Sequence, residues 1–133
     1  METPTMGYNE TAIAFLEKTK VKFSVQYVGY GPYFDGEKES RSIYRFTLRR
    51  GLRSYTAKFG QSIASEGQEP TEYDILSCLT KYEPGTFENF CSEFGYDTDS
   101  RKALKTYHAV CREYTGVCRI WNEAERELLA EIN

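Results

Sequence analysis

Two runs of strictly alternating side chains, separated by a glycine, commit residues 42–59 to a β-hairpin. From Ser42 to Arg50, Tyr44, Phe46 and Leu48 fall on one side, and Ile43, Arg45, Thr47 and Arg49 on the other. From Leu52 to Phe59 the chain returns, with Tyr55, Ala57 and Phe59 on the first side and Ser54, Thr56 and Lys58 on the second. Arg50-Gly51 supplies the tight turn, because glycine accepts the positive φ that such hairpins need. One face of the hairpin is therefore apolar and aromatic, while the other turns Arg45, Arg49 and Lys58 to solvent. Lys20 to Tyr27 alternates in the same way, with Val21, Phe23, Val25 and Tyr27 opposite Lys20, Lys22, Ser24 and Gln26. Three half-buried strands need something to cover their apolar face.

The remaining segments carry helical signals. A first helix starts near Asn9 or Thr11, both good N-caps, with Ala12, Ile13, Phe15 and Leu16 as its apolar side. Gly29 to Gly36 contains glycines and Pro32, and is expected to be a loop. Gln61 to Gln68 is expected to be a short turn or helical fragment. Thr71-x-x-Asp74 after Pro70 is a capping-box start for a helix that buries Ile75, Leu76, Leu79 and Tyr82, and that Pro84-Gly85 stops. Thr86 caps the next helix, where Phe87, Phe90, Cys91 and Phe94 recur at spacings of three and four before Gly95 ends it. Asp97, Asp99 and Ser100 precede a long helix running to about Trp121, the acids suiting the positive end of its dipole. Asn122-x-x-Glu125 caps a last helix that buries Leu128, Leu129 and Ile132. At about 100° per residue, the long helix turns Ala103, Tyr107, Val110, Cys111, Tyr114, Val117, Cys118 and Trp121 to one side. Arg101, Lys105, His108, Arg112 and Arg119 form a stripe almost opposite.

The expected fold class is α+β: an N-terminal helix, a three-stranded antiparallel sheet, then a C-terminal helical half packed on one sheet face. A chain of 133 residues is expected to form one such domain over residues 1–133.

Composition narrows the chemistry. There is one histidine, His108, and the four cysteines, Cys78, Cys91, Cys111 and Cys118, form no C-x-x-C pair and no zinc-finger or ribbon spacing. Asp97-Thr98-Asp99-Ser100 fails as a calcium loop, since Lys102 stands at the sixth position and His108 at the twelfth. Gly29-x-Gly31 is followed by Pro32 and aromatics, not by a helix that could seat a phosphate. His108 and Cys111 lie one helical turn apart, yet nothing supplies a third group or an oxyanion site. No cofactor, no metal and no enzymatic activity are expected. No secretory signal or membrane-spanning run is visible, so a cytoplasmic location is expected.

Charge is the remaining handle. The net value of −3 hides blocks: residues 41–60 carry six cations and no acid, residues 61–99 carry nine acids and one lysine, and residues 100–119 carry five cations and one acid. Candidate partner-binding residues are Arg45, Arg49, Arg50, Arg53 and Lys58 on the hairpin, and Arg101, Lys105 and Arg112 on the long helix. Tyr30, Tyr33 and Phe34 add an aromatic cluster in the loop after the first strand, since Tyr and Arg most often anchor interfaces.

The stretches Tyr44–Phe59 (YRFTLRRGLRSYTAKF), Leu79–Phe90 (LTKYEPGTFENF) and Cys91–Val110 (CSEFGYDTDSRKALKTYHAV) resemble a family of small proteins from phages and mobile elements of gut bacteria. The resemblance covers most of the chain from Phe15 onward and carries no assigned site residues. It implies a genetic context in which small accessory proteins are non-enzymatic inhibitors of host systems, anti-CRISPR proteins that occlude a nuclease among them. The expected function is inhibition of a bacterial defence system, CRISPR–Cas being the named candidate, by occluding a protein surface. The expected partner is a host defence protein or ribonucleoprotein. The acidic block would imitate phosphate in that role. The alternative is a nucleic-acid-binding accessory protein using the basic hairpin and the long basic helix.

Overall fold

A computed structural model describes residues 7–33, 37–61 and 68–132 of the chain. Its elements run α1 (Tyr8–Lys18), β1 (Lys22–Gly31), β2 (Arg41–Arg50), β3 (Arg53–Gly60), α2 (Glu72–Cys78), α3 (Phe87–Phe94), α4 (Arg101–Ile120) and α5 (Glu123–Ala130). The strands form one antiparallel sheet in the order β1-β2-β3, so the most strictly alternating strand lies at its centre. Tyr44, Phe46 and Leu48 are buried, while Arg45 between them and Arg49 after them are exposed. The α+β class and the element order match the sequence expectation.

Local differences have physical causes. Helix α1 begins one to three residues before the expected caps, with Gly7 at the N-cap and the Glu10 carboxylate accepting from its N–H at 3.2 Å. Asn9 instead accepts from the Tyr73 N–H at 3.1 Å and ties α1 to α2. Lys20 takes a positive φ of 59° in the turn before β1, so the strand starts at Lys22. Gly29 to Gly31, expected as loop, continues β1 against Arg41–Ile43 after a bulge at Val28. A bulge inserts one unpaired residue and reverses the side-chain alternation beyond it. It places Tyr30 opposite Ser42, on the same face as Tyr27. The hairpin turn is Gly51-Leu52, with Gly51 at φ 61°, and Leu52 is fully exposed instead of starting β3. Helix α2 stops at Cys78, well before Pro84, which leaves Tyr82 exposed instead of buried. Phe94 and Leu128 are also exposed, whereas Gly116 and Ile120 join the buried side of α4. The expected turn or fragment at Gln61–Gln68 falls mostly on residues 62–67, outside the described residues.

The caps at Thr71, Thr86, Ser100 and Asn122 form as expected, each side chain accepting a backbone N–H three residues on. The core joins Phe46 and Leu48 of the sheet to Phe15 and Leu16 of α1, Ile75 and Leu76 of α2, and Val117, Ile120 and Trp121 at the end of α4. Trp121 is completely buried, and its indole N–H donates to Thr19 Oγ1 at 3.0 Å, satisfying the one polar atom that a buried tryptophan carries. Arg50 closes the layer. Its guanidinium makes paired bonds of 2.7 and 2.9 Å to Glu125 and one of 3.0 Å to the Ile120 carbonyl. These contacts raise the Arg50 pKa and lower that of Glu125.

Helix α4 approaches β3 closely enough that a Cβ added at Gly116 would run into the Tyr55 ring. Gly116→Ala should therefore destabilise the fold by about 1–3 kcal/mol through overpacking, against the gain in helix propensity that alanine normally brings. The denaturant midpoint should fall with the m-value unchanged, and a Tyr55→Ala background should abolish the penalty. Equal stability of Gly116→Ala and wild type would refute this close approach.

Candidate functional site

All of the described helices pack on the aromatic side of the sheet or on one another, leaving the other side open. Register arranges that open face as a grid. Gln26, Arg45 and Lys58 lie side by side across the strands, then Ser24, Thr47 and Thr56, then Lys22, Arg49 and Ser54. Thr47 and Thr56 share a hydroxyl–hydroxyl hydrogen bond at 3.0 Å in the middle row. None of the three strands contains an acidic residue. Arg45 sits directly opposite Lys58, and Lys22 directly opposite Arg49. Like charges in directly opposed positions are destabilising, so this arrangement works against the fold that displays it. Among the described residues, none of these four cations pairs with a carboxylate.

The other sequence candidates divide. Arg50 is half-buried against Glu125 and does not contribute to the open face. Arg53 is exposed beside it at the hairpin tip. Arg112 and Arg119 sit against the free edge of β3 and, with Tyr55, Thr56 and Thr115, line a shallow groove of about 400 Å³. Arg119 Nη1 donates to the Ser54 carbonyl at 3.1 Å, bridging helix and edge strand. Arg101 and Lys105 are exposed near the other end of α4, roughly 20 Å or more from Arg119 along a helix rising 1.5 Å per residue, where α4 packs on α3. The basic stripe is thus split, its C-terminal part adjoining the hairpin and its N-terminal part not. Tyr30 is a strand residue, exposed at the far end of the aromatic face. Tyr33 folds back, its hydroxyl donating to the Lys58 carbonyl at 3.1 Å. Phe34 lies outside the described residues.

The register also adds Lys22, which alternation alone places on the polar side without showing that it faces Arg49. A second feature escaped the sequence. Between β3, α2 and α4 lies a cavity of about 240 Å³, floored by Phe46, Ile75 and Leu79 and edged by Tyr33, Tyr55 and Glu113. Glu113 accepts the Thr80 N–H at 2.7 Å. Burial pushes its carboxyl above the ordinary 4.5, opposed by the Thr80 hydrogen bonds and by Lys81. Burial and then Glu113 push the Tyr55 hydroxyl up to about 12. Nothing in the pattern around residue 113 marks it, since it sits as the lone acid in a basic stretch.

His108 is exposed and Cys111 is half-buried, with no hydrogen bond between them among the described residues. All four cysteines are free thiols, and no group of three or more His, Cys, Asp or Glu side chains converges as a metal site among the described residues. No described helix is long and apolar enough to cross a membrane. Comparison with known proteins finds no matching family model, curated protein or solved structure.

Because the Glu113 pKa is raised in the folded state, the folded protein holds the extra proton, and the stability it brings is lost as pH rises through that pKa. Glu113→Gln keeps an acceptor for the Thr80 N–H and cannot ionise. Its stability relative to wild type should therefore increase on going from about pH 4 to about pH 7 in urea titrations. A relative stability that is flat or falls over that range would show that the buried carboxylate is not disfavoured.

Proposed function

We propose that this chain is a non-enzymatic binding protein, encoded by a phage or mobile element, that inhibits a bacterial defence machine by occluding one of its surfaces, CRISPR–Cas effectors being the leading candidates. The observation that carries the reading is the open sheet face: four cations on regular strands that pair with no carboxylate among the described residues, with like charges held opposite each other. A fold tolerates such self-repulsion where the charges meet a partner, and exposed polar residues held by a rigid scaffold are binding residues by preference. The resemblance to small phage and mobile-element proteins supplies the context.

Charge is segregated in a way that supports docking in one orientation. Exposed acids of the helical half include Glu88 and Glu93 on α3, Glu127 on α5, and Glu83 and Asp97 in the loops on either side of α3, and α3 and α5 pack on other helices away from the open face. A bipolar molecule is steered by the field of its partner and presents one side to it. The acidic side remains available to imitate phosphate toward a basic channel. The cationic side suits the nucleic-acid component of the same machine, which favours nucleic-acid binding as the second reading.

Cells carrying a defined defence system should lose protection against a targeted phage when this chain is expressed, and the effector should co-purify with it. The Arg45→Glu, Arg49→Glu double variant should lose both effects while remaining folded by circular dichroism, and Glu88→Lys on the helical side should keep them. Absence of inhibition and of complex formation across a panel of defence systems would reject the proposal.

A further inference from the structure

We infer that the open sheet face binds double-stranded nucleic acid along its phosphate backbone without reading bases; this rests on the choice of docking face made above. The register sets the four cations in two rows, Arg45 with Lys58 and Lys22 with Arg49. Four residues of β2 separate the rows, which at about 3.4 Å per residue is roughly 13–14 Å. The major groove of a B-form duplex is about 12 Å wide between its backbones. Two cation rows at that separation engage the phosphates of both strands together, while the hydroxyls of Ser24, Thr47 and Thr56 occupy the space between.

The face lacks what a single strand needs. Single strands are held by aromatic platforms on which unpaired bases stack. Phe23, Tyr27, Tyr44, Phe46, Tyr55 and Phe59 all belong to the opposite face of the sheet. The open face also fits a duplex better than an acidic protein surface. A duplex carries one charge per ~1.7 Å of axis and a condensed counterion layer that bound cations displace, whereas carboxylates on a folded protein are irregularly spaced. Arg53, Arg112 and Arg119 continue the positive charge around the tip and edge of β3, where a duplex longer than the face would pass.

Fluorescence anisotropy on the full chain tests the inference, using a labelled mixed-sequence duplex, either of its strands alone, and polyglutamate. The duplex should bind at least tenfold more tightly than the single strand or polyglutamate at the same salt. The slope of log affinity against log salt should be about −3.6 for a duplex no longer than the face, corresponding to four phosphate contacts at about 0.9 each, and steeper for a longer one that reaches Arg53, Arg112 and Arg119. Lys58→Gln and Arg49→Gln should each make that slope shallower by about 0.9, with little change between duplex sequences. Equal binding of the single strand or of polyglutamate, a slope near zero, or slopes unaltered by these variants would overturn it. If no nucleic acid binds while the effector complex and the loss of cellular defence persist, this inference fails and the proposed inhibitor stands. If the duplex binds as described but no defence system is inhibited, the inference stands and the inhibitor reading fails.

Discussion

The alternation of β2 is the constraint on which the rest of the molecule depends. Phe46 and Leu48 must be covered, and they are buried beneath α1, α2 and the end of α4. Burying a large apolar side chain contributes about 1.5–3 kcal/mol, so the central strand decides which side the helices take. The same two-residue period then sends Arg45, Thr47 and Arg49 the other way. A slip of one residue would bury two arginines and expose the core, so register and charge display are fixed together. The uncovered face is a consequence of how the helices are satisfied elsewhere, and what the strand carries on that face is not dictated by folding.

Two interactions hold the helical layer in place. Trp121 packs its ring 5.4 Å from that of Phe15 and reaches Thr19 with its indole N–H, joining the end of α4 to α1. Arg50 bonds Glu125 and the last carbonyl region of α4, joining the hairpin tip to α5. Arg50 on Glu125, like Arg41 on Glu37 at the other end of β2, therefore has a carboxylate partner within the fold. Arg45 and Arg49 between them pair with no carboxylate among the described residues, and this contrast within a single strand separates the arginines that hold the fold from those left on the open face.

Much of this was legible in the sequence because it rests on local periodicity. Alternation located β2 and β3, and side-chain caps at Thr71, Thr86, Ser100 and Asn122 located the helix starts. What escaped depends on pairing between distant segments. Gly29–Gly31 looks like a loop until Arg41–Ile43 lies beside it, because only the ladder holds glycine in a strand. Arg50 is indistinguishable from Arg49 in the sequence, and only the arrival of Glu125 sets it apart. The opposition of Lys22 to Arg49 and of Arg45 to Lys58 needs the register, and the desolvation of Glu113 needs the segment after α2 to bring Thr80 onto α4. Tyr82, Phe94 and Leu128 fit a helical apolar stripe but find no facing surface, since α2 ends early and α3 and α5 are short.

The central claim is that the cations of the open face are held in mutual repulsion and are free to meet an external anion. Measuring the unfolding free energy of Lys58→Glu and of Lys22→Glu at low and at moderate salt tests it most directly. Each change puts a carboxylate opposite an arginine, and should stabilise the isolated protein by about 0.2–1 kcal/mol at low salt, the gain shrinking as salt screens the pair. A loss of stability at low salt in both variants would mean that these lysines already have favourable partners within the fold, and would contradict the account.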